Sequence, residues 1–387
     1  MHSGPGVSFY TGPPSSKIAS ANDDRLLRAA GRSGAVPEEP MAVAQNEAQQ
    51  AFTARMLERN ITPLWTVGKQ LVKREPEPRI PSVYWNYQRD VRPFILEAAD
   101  LITAAEAHRR VLVLNNPALK HGATHTMTCA IQAIKGGEIA PAHRHSQAAL
   151  RFIIEGEGAY TAVNGERIYM HPGDFIVTPA WTWHDHGKET DGVMIWLDGL
   201  DVPLVNHLGA TFSDDYDGEG AFPQSRPPHD SFSRYGSGLL PLEPVTQRAS
   251  PMFAYPYERT RTALENLRKA NDWDACHGLK LKFANPATGD WVMPTIATFA
   301  QLLPKGFKTA QYRSTEATVV MTAEGRGKAT VGDRTYTLGK NDIFVVPNWT
   351  WWQLEADDDL VLLSYSDRAV LEKLDLWREQ RANEPRR

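Results

Sequence analysis

Three histidines carry the most specific chemical signal in this 387-residue chain: His143 and His145, separated by Arg144, and His184 thirty-nine residues further on. Along a β-strand, residues i and i+2 share a face, so the first two imidazoles are expected to point into one interior. His184 closes the run DFIVTPAWTWH, just after another apolar strand pattern. Three neutral imidazoles converging from two strands form a donor set for a divalent transition metal: iron, zinc, manganese or nickel. A lone histidine is more often a surface or packing residue. H-x-H with a third histidine at a strand end is not explained that way. Five of the twelve histidines fall between positions 143 and 186.

Other polar residues fall on the same faces. Arg151 stands six residues after His145 in the apolar run ALRFII, so alternation turns it inward, where a guanidinium needs a partner. An anionic substrate would supply one through paired hydrogen bonds. His186 follows His184 by two and shares its side of the strand, which makes it a candidate for proton transfer beside the trio. Asp198, in WLDGLD, is expected to orient His186 or a ligand imidazole.

Such residues need a scaffold of short strands. RFIIEG (151–156), AYTAV (159–163) and DFIVTP (174–179), punctuated by Gly and Pro, predict a β-sandwich or barrel. The pattern then recurs. GGEIAPAHRHSQAALRFIIEGEG is matched by PKGFKTAQYRSTEATVVMTAEGRG, and GDFIVTPAWTWHD by NDIFVVPNWTWWQ, at offsets of 169 and 168 residues. The chain is therefore expected to be mainly β, with two tandem barrels at 105–205 and 277–367. A helical arm is expected at 41–104, a loop-like linker with one helix at 206–276, and a closing helix at 368–387. Residues 1–40, rich in Gly, Pro, Ser and Ala, read as a disordered extension, with Met41 as an alternative start. In the second copy Tyr312, Ser314 and Trp352 replace His143, His145 and His184, so that barrel is expected to be metal-free, with a packing role.

Gly137-x5-His143-x-His145-x3-Ala149-x6-Gly156 resembles the first cupin motif, and Gly173-x5-Pro179-x4-His184 resembles the second. The resemblance makes each barrel a double-stranded β-helix, or jelly roll, and the chain a bicupin. The first motif usually carries a glutamate ligand where Ala149 stands. Without it, three neutral ligands leave the metal its full charge and open positions, which suits an anionic chelating substrate beside O2. Residues 45–375 or so are similar to gentisate 1,2-dioxygenases and to relatives acting on salicylate or 1-hydroxy-2-naphthoate. The likeness runs through ITPLW (61–65), RR-x5-NP (109–117), HRHSQ with its following R-F, TPAWTWHDHG, WLDGLD and NPATGDWVMPT (285–295).

That resemblance implies one Fe(II) per chain on His143, His145 and His184. It also implies a 2-hydroxybenzoate bound through carboxylate and phenolate oxygens, and insertion of both oxygen atoms between C1 and C2, gentisate giving maleylpyruvate. Arg109 matches a family arginine and would be a second anion contact, with Arg110 a structural neighbour. Gln132 matches a family glutamine facing the pocket, a reading that stands beside a core amide bonded to backbone. Thr128 stands where family members often carry an aromatic residue, so the ring pocket is expected to be wider. A homotetramer is implied as well, in which the helix near 43–60 would cover a neighbour's sheet edge.

Electrostatics points toward no macromolecular partner. A net charge of −4 gives no field to attract nucleic acid. No apolar run approaches the roughly 18 residues needed to span a bilayer, and the N-terminus has no secretory pattern. Two distant cysteines, Cys129 and Cys276, exclude a disulfide framework and fit a reducing cytoplasm. The rival of another class is a metal-binding cupin without turnover, which an inward Arg151 argues against. An isomerase would usually keep the carboxylate missing at Ala149.

Overall fold

The computed structural model describes residues 40–218, 220–382 and 384–385; of the extension expected over 1–40, residues 1–39 lie outside them and Pro40 opens the first helix. Residues 40–73 belong to a unit of their own, formed by α1 (Pro40–Leu57) and α2 (Leu64–Leu71).

The unit from Arg74 onward begins with β1 (Tyr84–Trp85), a π-helical turn (Tyr87–Val91), α3 (Arg92–Leu101) and α4 (Ala104–Ala107). Then come β2 (Arg110–Val113), β3 (Thr128–Lys135), β4 (Ile139–His145), β5 (Ala149–Glu155) and β6 (Ala159–Val163). After them run β7 (Glu166–Tyr169), β8 (Phe175–Thr178), β9 (His184–Lys188), β10 (Val193–Leu200), α5 (Val202–His207) and β11 (Ser213–Asp215). The second half repeats this order. It runs through α6 (Asp230–Tyr235), β12 (Ala254–Tyr255), α7 (Tyr257–Lys269), β13 (Leu279–Lys282), β14 (Ala297–Leu303) and β15 (Tyr312–Ser314). It ends with β16 (Thr318–Glu324), β17 (Gly327–Val331), β18 (Arg334–Leu338), β19 (Ile343–Val346), β20 (Trp352–Ala356), β21 (Leu360–Ser366), α8 (Arg368–Lys373) and β22 (Glu379–Arg381).

Each half makes one six-stranded and one five-stranded sheet. The first barrel has the orders β12-β8-β5-β10-β3-β2 and β11-β4-β9-β6-β7; the second has β1-β19-β16-β21-β14-β13 and β18-β17-β20-β15-β22. The expected mainly β, bicupin architecture is the one observed. Asn164-Gly165, both at positive φ, form the two-residue loop between β6 and β7, which is the backbone that a tight hairpin requires.

The continuous apolar runs are explained by burial on both faces. On β5, Leu150, Phe152 and Ile154 enter the core shared by the two six-stranded sheets, while Ile153 packs inside its own barrel. Each large side chain so buried contributes about 1.5–3 kcal/mol. Arg151 shares the inner face with Ile153, which is why an arginine can stand in this strand and face the site.

The halves also exchange their leading segments. β1 pairs with β19 of the second barrel, and β12 pairs with β8 of the first. Tyr87 donates its amide to Asp342 at 2.8 Å, and Tyr257 donates its amide to Asp174 at 2.8 Å. Glu155 accepts from the Tyr87 hydroxyl and Arg92, as Glu324 accepts from the Tyr257 hydroxyl and Arg261. Asp342, 1% exposed, also accepts from the Tyr84 hydroxyl and the Gly339 amide. Asp342→Ala leaves these donors unpaired, and a loss of about 3 kcal/mol is expected in denaturant unfolding.

Two expectations about connecting segments are corrected. The linker at 206–276 is not loop with one helix: β11 and β12 complete both sheets of the first barrel. The closing helix at 368–387 stops at Lys373, and Glu379–Arg381 becomes β22, paired with Tyr312–Ser314. Both follow from the repeat, since α8 and β22 stand 166 residues after α5 and β11. The free edge of β15 takes a strand just as β4 does, and sheet pairing overrides the helical pattern of LEKLDLWREQ.

Candidate active site

β4 and β9 lie side by side, with His143 directly opposite His184. The Nε2 atoms of these two residues are 2.9 Å apart, and the three imidazoles present ring nitrogens within 4.8 Å of one another. His145 Nδ1 donates to the Gln147 carbonyl at 2.8 Å, and His184 Nδ1 donates to the Thr182 carbonyl at 3.0 Å. These bonds leave both Nε2 lone pairs facing inward, the tautomer that metal ligation requires. Burial holds all three rings neutral. The His143 pKa falls to about 3, His145 is lowered, and His184 lies well below the ordinary histidine range, with Arg109 and Arg151 adding to the effect. Neutral, oriented imidazoles with converging lone pairs fit a divalent transition metal. Among the described residues this is the one such cluster.

Arg151 points into the same barrel and is 3% exposed. Its Nη1 donates to Thr178 Oγ1 at 2.5 Å, and its Nη2 reaches His186 Nε2 at 3.4 Å. Its Nε lies 3.3 Å from Asp198 Oδ1, an ion-pair contact without hydrogen-bond alignment. His186 is buried as well, with Nδ1 3.0 Å from Thr161 Oγ1, whose own hydroxyl turns to Met170 Sδ. An arginine donor at Nε2 leaves that nitrogen as acceptor and puts the ring proton on Nδ1.

Asp198 does not orient His186 or a ligand imidazole. It faces Arg151 across β5 and β10 and accepts from Trp196 Nε1 at 3.0 Å. Burial raises its pKa to about 6, against the pull of Arg151. The reason is register: Asp198 stands opposite Arg151 on the sheet facing the histidines, not on the histidine sheet itself. Asp198→Asn is expected to keep the fold and the metal while lowering kcat/KM about tenfold, because Arg151 loses its fixed partner. Steady-state kinetics on metal-loaded variant checks it.

Arg109 donates to the Pro141 carbonyl at 2.9 Å, and its charge acts on all three candidate ligands and on His186. Burial lowers its own pKa to about 10. Arg110 is the structural neighbour, pairing its two terminal guanidinium nitrogens with Glu138 at 2.5 Å. Gln132, 3% exposed, shares a recess with Arg109 and is opposite Trp196 on β10. Thr128 spends its hydroxyl on the Leu200 carbonyl at the end of β3.

Sequence reasoning did not single out Thr161, Thr178 or Trp196. Alternation would have found Trp196, which precedes Asp198 by two on β10; Thr161, opposite His186 on β6, and Thr178, on β8 beside β5, depend on cross-strand register. In the second barrel the corresponding positions are Val320 for Arg151, Ser364 for Asp198 and Leu354 for His186, so the whole polar set is replaced, not the ligands alone.

Residues 130–200 match the cupin domain family. The chain is 46% identical over 342 residues to gentisate 1,2 dioxygenase 1 of Aquipseudomonas alcaligenes, covering 87% of this chain and 98% of that one. It is 36% identical to 5-aminosalicylate 1,2-dioxygenase of Comamonas sp., over 84% and 88% of the two chains. The solved salicylate 1,2-dioxygenase of Pseudoaminobacter salicylatoxidans, in adducts with gentisate, superposes with a TM-score of 0.79 at 31% identity, covering 90% and 95%. With its histidine trio and inward arginine in place, the chain belongs to the gentisate 1,2-dioxygenase family of ring-cleaving, dioxygen-incorporating oxidoreductases.

Proposed function

We propose that this chain cleaves gentisate between C1 and C2 to maleylpyruvate, with Fe(II) held by His143, His145 and His184. The observation that carries the reading is the charge of the pocket. Two guanidiniums, Arg109 and Arg151, act on neutral imidazoles, and among the described residues Asp198 is the one carboxylate in ion-pair contact with either. A site of that balance around a divalent cation favours an anionic aromatic 2-hydroxycarboxylate. The 46% identical relative is named for gentisate, which selects among such acids.

Iron, when bound, supplies the one-electron chemistry by which a spin-paired ring reacts with dioxygen. The rest falls to the chain. Arg151 turns its Nη groups to the substrate carboxylate, and Arg109 adds a second cation beside it. Asp198, anchored by Trp196 Nε1, keeps Arg151 in place. Engagement of Arg151 by the carboxylate frees His186 Nε2 to accept the proton of the ring hydroxyl, and Thr161 holds the other ring nitrogen. Gln132 offers its amide to the ring substituents. His184, His186, Arg151 and Gln132 are all at most 3% exposed, so the pocket excludes bulk water around them.

Assembly as a homotetramer is supported by exposed apolar residues on the N-terminal helices, Phe52 and Leu57 on α1 and Leu64 and Trp65 on α2. A cytoplasmic setting is supported by two buried, free cysteines. No helix of the described residues is long and apolar enough to cross a membrane. The substrate assignment is tested by kcat/KM for gentisate, salicylate and 1-hydroxy-2-naphthoate at equal iron load. Gentisate should be highest; a higher value for either of the others keeps the chemistry and changes the ring.

A further inference from the structure

We infer that Arg144 is a positioning residue for the metal ligands, tying the strand that carries His143 and His145 to the turn that delivers His184. The inference rests on reading that trio as the metal site. By strand alternation Arg144 faces away from the two histidines it separates. Its guanidinium lies 4.6 Å from the ring centre of Trp181 and 4.7 Å from that of Trp183, a cation held between two indoles. Nε and Nη2 both donate to Asp214 Oδ2, at 2.9 and 2.7 Å, which adds β11 to the clamp.

The two indoles flank Thr182, and the Thr182 carbonyl is the acceptor that fixes the His184 tautomer. Trp181 sits at φ 60, a left-handed conformation that a bulky residue adopts only under constraint, and there its amide donates to the His145 carbonyl at 2.8 Å. One side chain thus fixes the backbone on both sides of the trio.

The second barrel holds the same device without ligands. Arg313 lies 4.4 Å from Trp349 and 4.7 Å from Trp351, and donates to Gln380 Oε1 on β22 at 2.9 and 2.6 Å. Trp349 is at φ 53 with its amide on the Ser314 carbonyl, and Tyr312 faces Trp352 in the register of His143 and His184. The molecule therefore contains its own control, in which the clamp serves the barrel alone.

The test compares Arg144→Ala, Arg144→Lys, Arg313→Ala and His184→Ala as full-length, iron-loaded protein. The readouts are thermal midpoint, iron release to a chelator, and the paramagnetic resonance of the ferrous nitrosyl complex. Arg144→Ala and Arg313→Ala are expected to lower the midpoint alike. Only Arg144→Ala should release iron faster, about ten- to a hundredfold, and change the nitrosyl spectrum. Arg144→Lys, a charge without a planar face to stack, should fall between and stays testable if the alanine variant does not fold. Iron release from Arg144→Ala at the wild-type rate overturns the inference, as does equally fast release from Arg313→Ala. His184→Ala that holds iron like wild type overturns the metal reading itself, a separate result.

Discussion

His184→Ala should remove iron and ring-cleaving activity together. The residue is 2% exposed, its Nε2 is 2.9 Å from that of His143, and its tautomer is set by one backbone carbonyl. Among the described residues no other ligand joins the cluster: Ala149 offers no carboxylate, and His186 is committed to Thr161 and Arg151. Two remaining imidazoles make a weak site, so iron content should fall from about one per chain to near zero. Oxygen uptake should fall by at least about a thousandfold, since the spin-forbidden reaction has no other catalyst here. The thermal midpoint should change little in metal-free protein. Metal analysis and oxygen uptake on the same preparation check the prediction, and an iron-loaded, active variant would show that the ligands lie elsewhere.

Arg151→Ala is expected to keep iron and lose substrate. Losing the charged hydrogen bonds from Arg151 to a substrate carboxylate costs about 2–4 kcal/mol, or roughly 30- to 1,000-fold in kcat/KM, and the loss should appear mainly in KM. A confounding effect must be separated. Without Arg151, Asp198 is a buried carboxylate with its chief counter-charge gone, which weakens the fold or leaves the group protonated. The double variant Arg151→Ala with Asp198→Ala removes that penalty. Its stability should recover towards wild type while KM stays high. If KM recovers with stability, Arg151 is structural and the carboxylate contact belongs to Arg109.

What could be read from the sequence follows from how local each pattern is. The trio is visible because H-x-H puts two imidazoles on one face and because β9 begins at the third. The two barrels are visible because the repeat is nearly constant in spacing. Arg151 is visible as a charge in a run otherwise buried on both faces. The exchange of β1 and β12 is not, since two-residue strands carry no alternation and their partners lie more than 70 residues away. Nor is β22, whose residues read locally as helix and become strand only against β15. The partner of Asp198 depended on cross-strand register between β5 and β10, which alternation alone does not provide.

The most direct measurement is turnover of gentisate by iron-loaded protein under ¹⁸O₂, following oxygen uptake and the mass of the ring-opened product. One dioxygen consumed per gentisate, with both labelled atoms in maleylpyruvate before solvent exchange, is the expected result. No uptake despite iron on the histidine trio, or a product carrying a single labelled atom, would contradict C1–C2 cleavage by this site.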